Sequence, residues 1–216
     1  MILFNSCAGN KDRIFIPANE YKNENDNKLN TNGIIDTQAG NRIENIPDWL
    51  FIFLEGGINK AEAINSYRGR YLFIAKNEGS NFNALNKWAE NYTIQNNFPM
   101  IAASRIERRL ISAATLYPDD EYGGFFEIVV KKAFNAEYEG AVIEDSFWIK
   151  MIENETENDN AQSGEKYIFY ILTSIEKIQM QEIIRKITAE AIDGINPSQK
   201  QSAAVKNIQQ NFFEEF

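Results

Sequence analysis

The side chains best placed by type to do chemistry are two acidic groups, Glu144-Asp145 and Asp119-Asp120-Glu121. Paired carboxylates serve as general acid and general base when their surroundings push their proton affinities apart. The spacing argues otherwise here. Neighbouring residues of a strand face opposite sides of the sheet, and acids in a turn ordinarily cap the helix that follows. The run Asn154–Asn160 alternates acids like a loose calcium loop, but it lacks the sixth-position glycine and the terminal Glu of an EF-hand, so it reads as a solvated loop. Gly56-Gly57 and Gly123-Gly124 have neither a Lys-Ser/Thr nor a GxGxxG setting, which excludes the usual phosphate cradles. Arg105, Arg108 and Arg109 fall close together on one helical stretch. They offer an anion or partner site, or a solvated face that pairs with acids, and the acid excess favours the second.

The chain has no histidine, which removes the usual general base near neutral pH, every Ser-His or Cys-His arrangement and all His-based metal sites. The single cysteine, Cys7, allows no intrachain disulfide and no cysteine cluster. The expectation is a protein that is not an enzyme and needs no cofactor and no metal. A net charge of -9 disfavours both sequence-independent nucleic-acid binding and attraction to an anionic membrane surface.

Cys7 has a second reading. Leu3-Phe4-Asn5-Ser6-Cys7 matches the end of a bacterial lipoprotein signal: an apolar residue, two intervening positions, a small residue, then Cys. A full signal carries a basic region and an apolar core before that point. The lipidation reading therefore expects a precursor with such a stretch upstream of Met1. Residues 1–45 then read as a mobile leader, a tether between a lipid anchor and a folded domain, because Lys11–Asn45 is polar with apolar islands only at Ile14-Phe15-Ile16 and Ile34-Ile35.

The elements that would position these groups follow from periodicity. Folding is expected to begin near Ile46-Pro47-Asp48-Trp49-Leu50, with Pro47 fixing an extended entry and Gly56-Gly57 breaking the apolar run. Tyr71–Ala75 reads as a strand. Phe82, Leu85, Ala89 and Tyr92 mark a helix that Pro99 interrupts, and Ala102, Ile106, Leu110 and Ala113 mark its successor. Tyr122, Phe125, Phe126, Val129, Val130 and Ala133 give a third helix. The stretches Phe147–Ile152 and Tyr167–Thr173 are rich in aromatic and β-branched residues and flank a polar run, which predicts an antiparallel hairpin. In the second of these both alternating sets are apolar: Tyr167, Phe169 and Ile171 on one side, Ile168, Tyr170 and Leu172 on the other. That predicts a central strand covered on both faces. Met180, Ile183, Ile184, Ile187 and Ala191 make a closing amphipathic helix. The expected fold is α+β: a small, mostly antiparallel sheet with helices packed on it, in the order β-α-α-α-β-β-α. One domain spans residues 46–195, and residues 196–216 form a tail or terminal helix carrying Phe212, Phe213 and Phe216.

This order of elements resembles the LPP20-like bacterial lipoproteins. The resemblance runs over about Ile46–Ile192, from the Pro-Asp-Trp-Leu entry and the strand YLFIAKNEG through Ala102–Arg109 and Gly140–Trp148 to YIFYILTSIEK. It implies a non-enzymatic protein of the envelope of a diderm bacterium. Such a protein faces the periplasm, is lipid-anchored if Cys7 is acylated, and acts as a structural or interaction module with protein partners. On this reading Phe212, Phe213 and Phe216, with the loop Asn154–Gly164, are the expected partner contacts. The competing expectation is a soluble periplasmic domain that holds a small ligand in a pocket lined by Tyr71, Trp88, Trp148 and Tyr170.

Overall fold

The computed structural model describes residues 33–40, 45–114, 123–153 and 164–193. The fold is α+β, as the alternation and helical periodicity predict. Four strands, β1 (Ile34–Thr37), β2 (Arg70–Gly79), β3 (Val142–Glu153) and β4 (Gly164–Glu176), form one antiparallel sheet in the order β1-β3-β4-β2. Among the described residues five α-helices surround it: α1 (Asp48–Glu62), α2 (Phe82–Glu90), α3 (Ile94–Ala114), α4 (Gly123–Phe134) and α5 (Lys177–Asp193). A short 3-10 turn, Asn65–Tyr67, leads into β2.

The expected hairpin is present, with β3 and β4 paired from Val142↔Ser174 to Glu153↔Gly164. Strand β4 lies between β3 and β2 and is buried from Ile168 to Ile175. Its two apolar sets enter two separate cores. Ile168, Tyr170 and Leu172 join Leu72, Phe147 and Ile149 beneath Trp49, Leu50 and Leu54 of α1. Ile171 and Ile175 join Tyr71, Phe73 and Ala75 beneath α3, α4 and α5. A central strand sandwiched between helical layers needs apolar residues on both faces, which is why the usual polar alternation is missing from it.

Three expectations are corrected. Ile34–Thr37 lies in the stretch read as a mobile leader, yet it pairs with β3 and buries Thr37. The short apolar island gains its order from the free edge of a strand far along the chain, which local composition does not reveal. The apolar run after Pro47 forms α1, absent from the expected order, and it continues through Gly56-Gly57 as a kink. Gly57 takes φ 78° and ψ -178°, a backbone region essentially closed to other residues. Finally, the break between α2 and α3 falls at Asn91–Thr93 and not at Pro99. There Thr93 starts α3 reciprocally: its hydroxyl accepts from the Asn96 N–H, and its own N–H donates to Asn97 Oδ1 at 2.9 Å. Pro99 sits inside α3, where a proline costs about 3 kcal/mol. The complete burial of Phe98, Ala102 and Ala103 with the near-complete burial of Ile106 and Leu110 outweighs it, at roughly 1.5–3 kcal/mol for each large apolar side chain.

Candidate functional site

The two carboxylates that a regular strand would send to opposite faces are brought to the same one. The β3–β4 register shifts between Ile143 and Asp145, so Glu144 is the extra residue of a β-bulge. A bulge re-aims the side chains around it. Asp145 then meets α1, its Oδ2 accepting from Trp49 Nε1 at 2.8 Å while its Oδ1 accepts from the Ser146 N–H at 2.8 Å. Glu144 turns along the same face to strands β4 and β2. The Ser174 hydroxyl donates to Glu144 Oε1, and Arg70 Nε donates to Ser174 Oγ at 2.8 Å. Arg70 also lies 3.5 Å from Glu144 Oε1 and reaches Glu176 Oε1 at 3.3 Å. Tyr67 stands beside this group. Burial first, then the negative charges of Glu144 and Asp145, push its hydroxyl above the ordinary tyrosine range, so it stays protonated.

The sequence reading named Glu144 and Asp145 but missed Tyr67, Arg70 and Ser174. No local signal marks them, because the bulge that gathers them is a feature of the pairing between β3 and β4. Chemically the group is an ion-pair and hydrogen-bond chain joining β2, β3, β4 and α1. Ser174 is fully buried, with its proton held by a carboxylate and its oxygen capped by a guanidinium. Among the described residues no group of three or more His, Cys, Asp and Glu side chains is placed to hold a metal ion.

A second network lies at the outer edge of β2. Arg105 donates to Glu62 Oε1 at 2.8 Å and to the Leu72 carbonyl at 2.8 Å, while the Leu72 N–H donates to Glu62 Oε1 at 2.8 Å. The guanidinium also lies over the rings of Tyr71 and Phe73. Of the three arginines on α3, Arg105 therefore turns inward to hold α1 and α3 to the strand, whereas Arg108 is exposed and Arg109 half-buried.

The four aromatics expected to line a pocket lie apart. Tyr71 is in the core beneath α3–α5, and Trp88 packs against that core beside Tyr92. Tyr170 belongs to the core on the opposite face, beneath α1. Trp148 joins the half-buried Phe82 and Tyr167 and the buried Phe169 in a cluster of edge-to-face, tilted and stacked rings, with Phe82 and Trp148 each 5.1–6.3 Å, centroid to centroid, from the rings they meet. Cys7, Asp119, Asp120, the loop 154–163 and the aromatics Phe212, Phe213 and Phe216 lie outside the described residues. Among the described residues no helix is long and apolar enough to cross a membrane. No known protein family model, curated protein or solved structure matches the chain.

Proposed function

We propose that this chain is a non-catalytic structural or interaction module of a bacterial cell envelope, held at a membrane by lipid on Cys7 and working through protein partners. The observation that carries the reading is how the polar side chains are used. Asp145 is tied to Trp49 and Ser146, Glu144 and Arg70 close on a buried Ser174, and Glu62 and Arg105 hold Leu72. Each of these groups fastens backbone or another element. The bonds that these groups make go to the protein's own backbone and side chains. The LPP20-like order of elements supports the same reading, and so does a chain without histidine. The partner contacts on this reading are Phe212, Phe213 and Phe216 with the loop 154–163, since aromatic side chains are favoured interface anchors. The strand β1 shortens the tether. From Cys7 to Gly33 a fully extended chain reaches at most about 90 Å, which still allows the domain to stand well clear of a bilayer surface.

The test is to express the gene from its genomic start in a diderm host and label with a clickable fatty-acid analogue. Label on the wild type that disappears in Cys7→Ser is the expected result. Label that persists in Cys7→Ser, or an unlabelled wild type, overturns the anchor.

A further inference from the structure

The outer edge of β2 has a property that the functional reading does not use. Strand β2 is the sheet's edge, with ten residues in unbroken register against β4 and no bulge. The Leu72 N–H and C=O both go to side chains, Glu62 and Arg105, so the Leu72 backbone points away from β4. Backbone direction alternates along an antiparallel strand. The N–H and C=O groups of Ile74, Lys76 and Glu78 therefore also point outward, and among the described residues no strand pairs with them. The Glu62–Arg105 pair closes the edge at Leu72, and among the described residues no strand closes it beyond. A long, regular edge is a template for another strand, which natural proteins blunt with bulges, prolines, charged side chains or a covering element. The sheet's other edge strand, β1, is irregular between Ile34 and Asp36; β2 is not, and the charges it carries at its open end are a self-complementary pair, Lys76 and Glu78.

We propose that this edge pairs antiparallel with the same edge of a second copy of the chain, about a twofold axis at Asn77. The register follows from two constraints. Outward-pointing residues must face outward-pointing residues for the ladder to form, which places the axis at a residue, such as Ile74, Ala75, Lys76 or Asn77, and not between two residues. Charge then selects among them. Lys76 and Glu78 project from the same face, 2.8 Å apart as an ion pair within one chain. An axis at Lys76 sets Lys76 against Lys76, and an axis at Ala75 drives Leu72, whose backbone is already occupied, against Glu78. An axis at Asn77 sets Lys76 opposite Glu78 of the second copy and Glu78 opposite its Lys76, with all four backbone groups of each pair in position to bond. Opposite charges directly across a ladder stabilise it and like charges destabilise it. An isologous contact of this kind is self-limiting and joins two four-stranded sheets into one of eight. The proposal does not depend on a lipid anchor or on an envelope location.

The experiment is sedimentation velocity on the full chain at micromolar concentration, with Lys76→Glu and Glu78→Lys measured alone and mixed. The wild type is expected at twice the chain mass. Each single variant, now carrying like charges across the axis, is expected at the monomer mass with an unchanged circular dichroism spectrum. An equimolar mixture is expected to recover the dimer, because every Glu then faces a Lys. Glu78→Pro, which removes an outward-pointing N–H and the carboxylate opposite Lys76 but no hydrogen bond to β4, is expected to be monomeric and folded. A wild type that is monomeric, as when another segment of its own chain covers the edge, overturns the proposal. So do single variants that remain dimeric, or a mixture that remains monomeric.

Discussion

Tyr138 and Tyr170 are the same residue in opposite polar circumstances. Both are buried, and burial pushes both hydroxyls well above the ordinary tyrosine range. The Tyr138 hydroxyl donates to the Ala133 carbonyl at 2.8 Å and so closes the C-terminal end of α4. The Tyr170 hydroxyl, beneath α1 and edge-on to Phe53, has no hydrogen-bond partner among the described residues. Removing a paired hydroxyl forfeits a net 0.5–1.5 kcal/mol, roughly, whereas removing an unpaired buried one relieves a desolvation penalty of about 1 kcal/mol. Tyr138→Phe is therefore expected to lower the unfolding free energy by about 1 kcal/mol, and Tyr170→Phe to leave it unchanged or raise it by a similar amount. Urea denaturation of the two variants checks this, and the opposite order would refute it. The sequence announced which face Tyr170 takes, because the alternation of β4 is unbroken. It could not announce whether the hydroxyl finds a partner, since that depends on where α1 lies. The same limit applies at Glu144-Asp145, where the argument from alternation was sound for a regular strand and failed on a bulge.

Among the elements, the strands and helices with strong periodicity were legible and those without it were not. Trp49–Leu54 is an unbroken apolar run, and such a run does not distinguish a helix from a buried strand. The buried residues of α1, Trp49, Leu50, Leu54, Gly57 and Ala61, follow a helical stripe only when a glycine is counted as a core position. Strand β1 is four residues set among polar ones, and its order comes entirely from pairing with β3. The Glu62–Arg105 tie was illegible for a related reason, because α1 itself was not foreseen. Its energetics are testable. The two side chains are only 8% and 13% exposed and share the Leu72 backbone between them. Removing one partner of a buried pair strands the other, at a cost of about 3–5 kcal/mol. Glu62→Leu and Arg105→Met are each expected to fall in that range. The double variant still leaves the Leu72 N–H and C=O without these partners, but it strands no charge. It is expected to lose less than the sum of the singles by about 2 kcal/mol or more, a coupling that a double-mutant cycle reads directly. Additive losses would mean that the two charges do not act as a pair.

At the scale of the whole molecule, the absence of histidine that shaped the reading of chemistry also shapes stability. The described residues hold carboxylates, tyrosines, lysines and arginines, and none of these has an ordinary pKa between about 5 and 10. On the acid side, burial opposes ionisation of Glu78, but the hydrogen bond from Lys76 and the charges of Lys76 and Lys166 outweigh it and hold the carboxyl below its ordinary value. A lowered carboxylate contributes stability above its unfolded pKa, and that contribution is lost as pH falls through the folded value. Glu78 is half-exposed, so this limb is shallow. The alkaline side is different. Tyr67, Tyr71, Tyr138 and Tyr170 are all raised, with burial the largest cause in each. A raised tyrosine binds its proton more tightly in the folded state. Its contribution is therefore complete below an unfolded pKa of about 10 and is lost as pH rises from there toward the folded value. The melting temperature is thus expected to be flat from about pH 6 to pH 9 and to fall steeply above about pH 10. The double variant Tyr138→Phe/Tyr170→Phe removes the two phenols that burial raises furthest, so its alkaline fall is expected to be shallower than that of the wild type. Thermal melts across pH check both parts. A step in melting temperature between pH 6 and pH 9 (expected of a titrating group that the described domain does not contain) would refute the plateau, and an alkaline limb unchanged in the double variant would refute the assignment to these tyrosines.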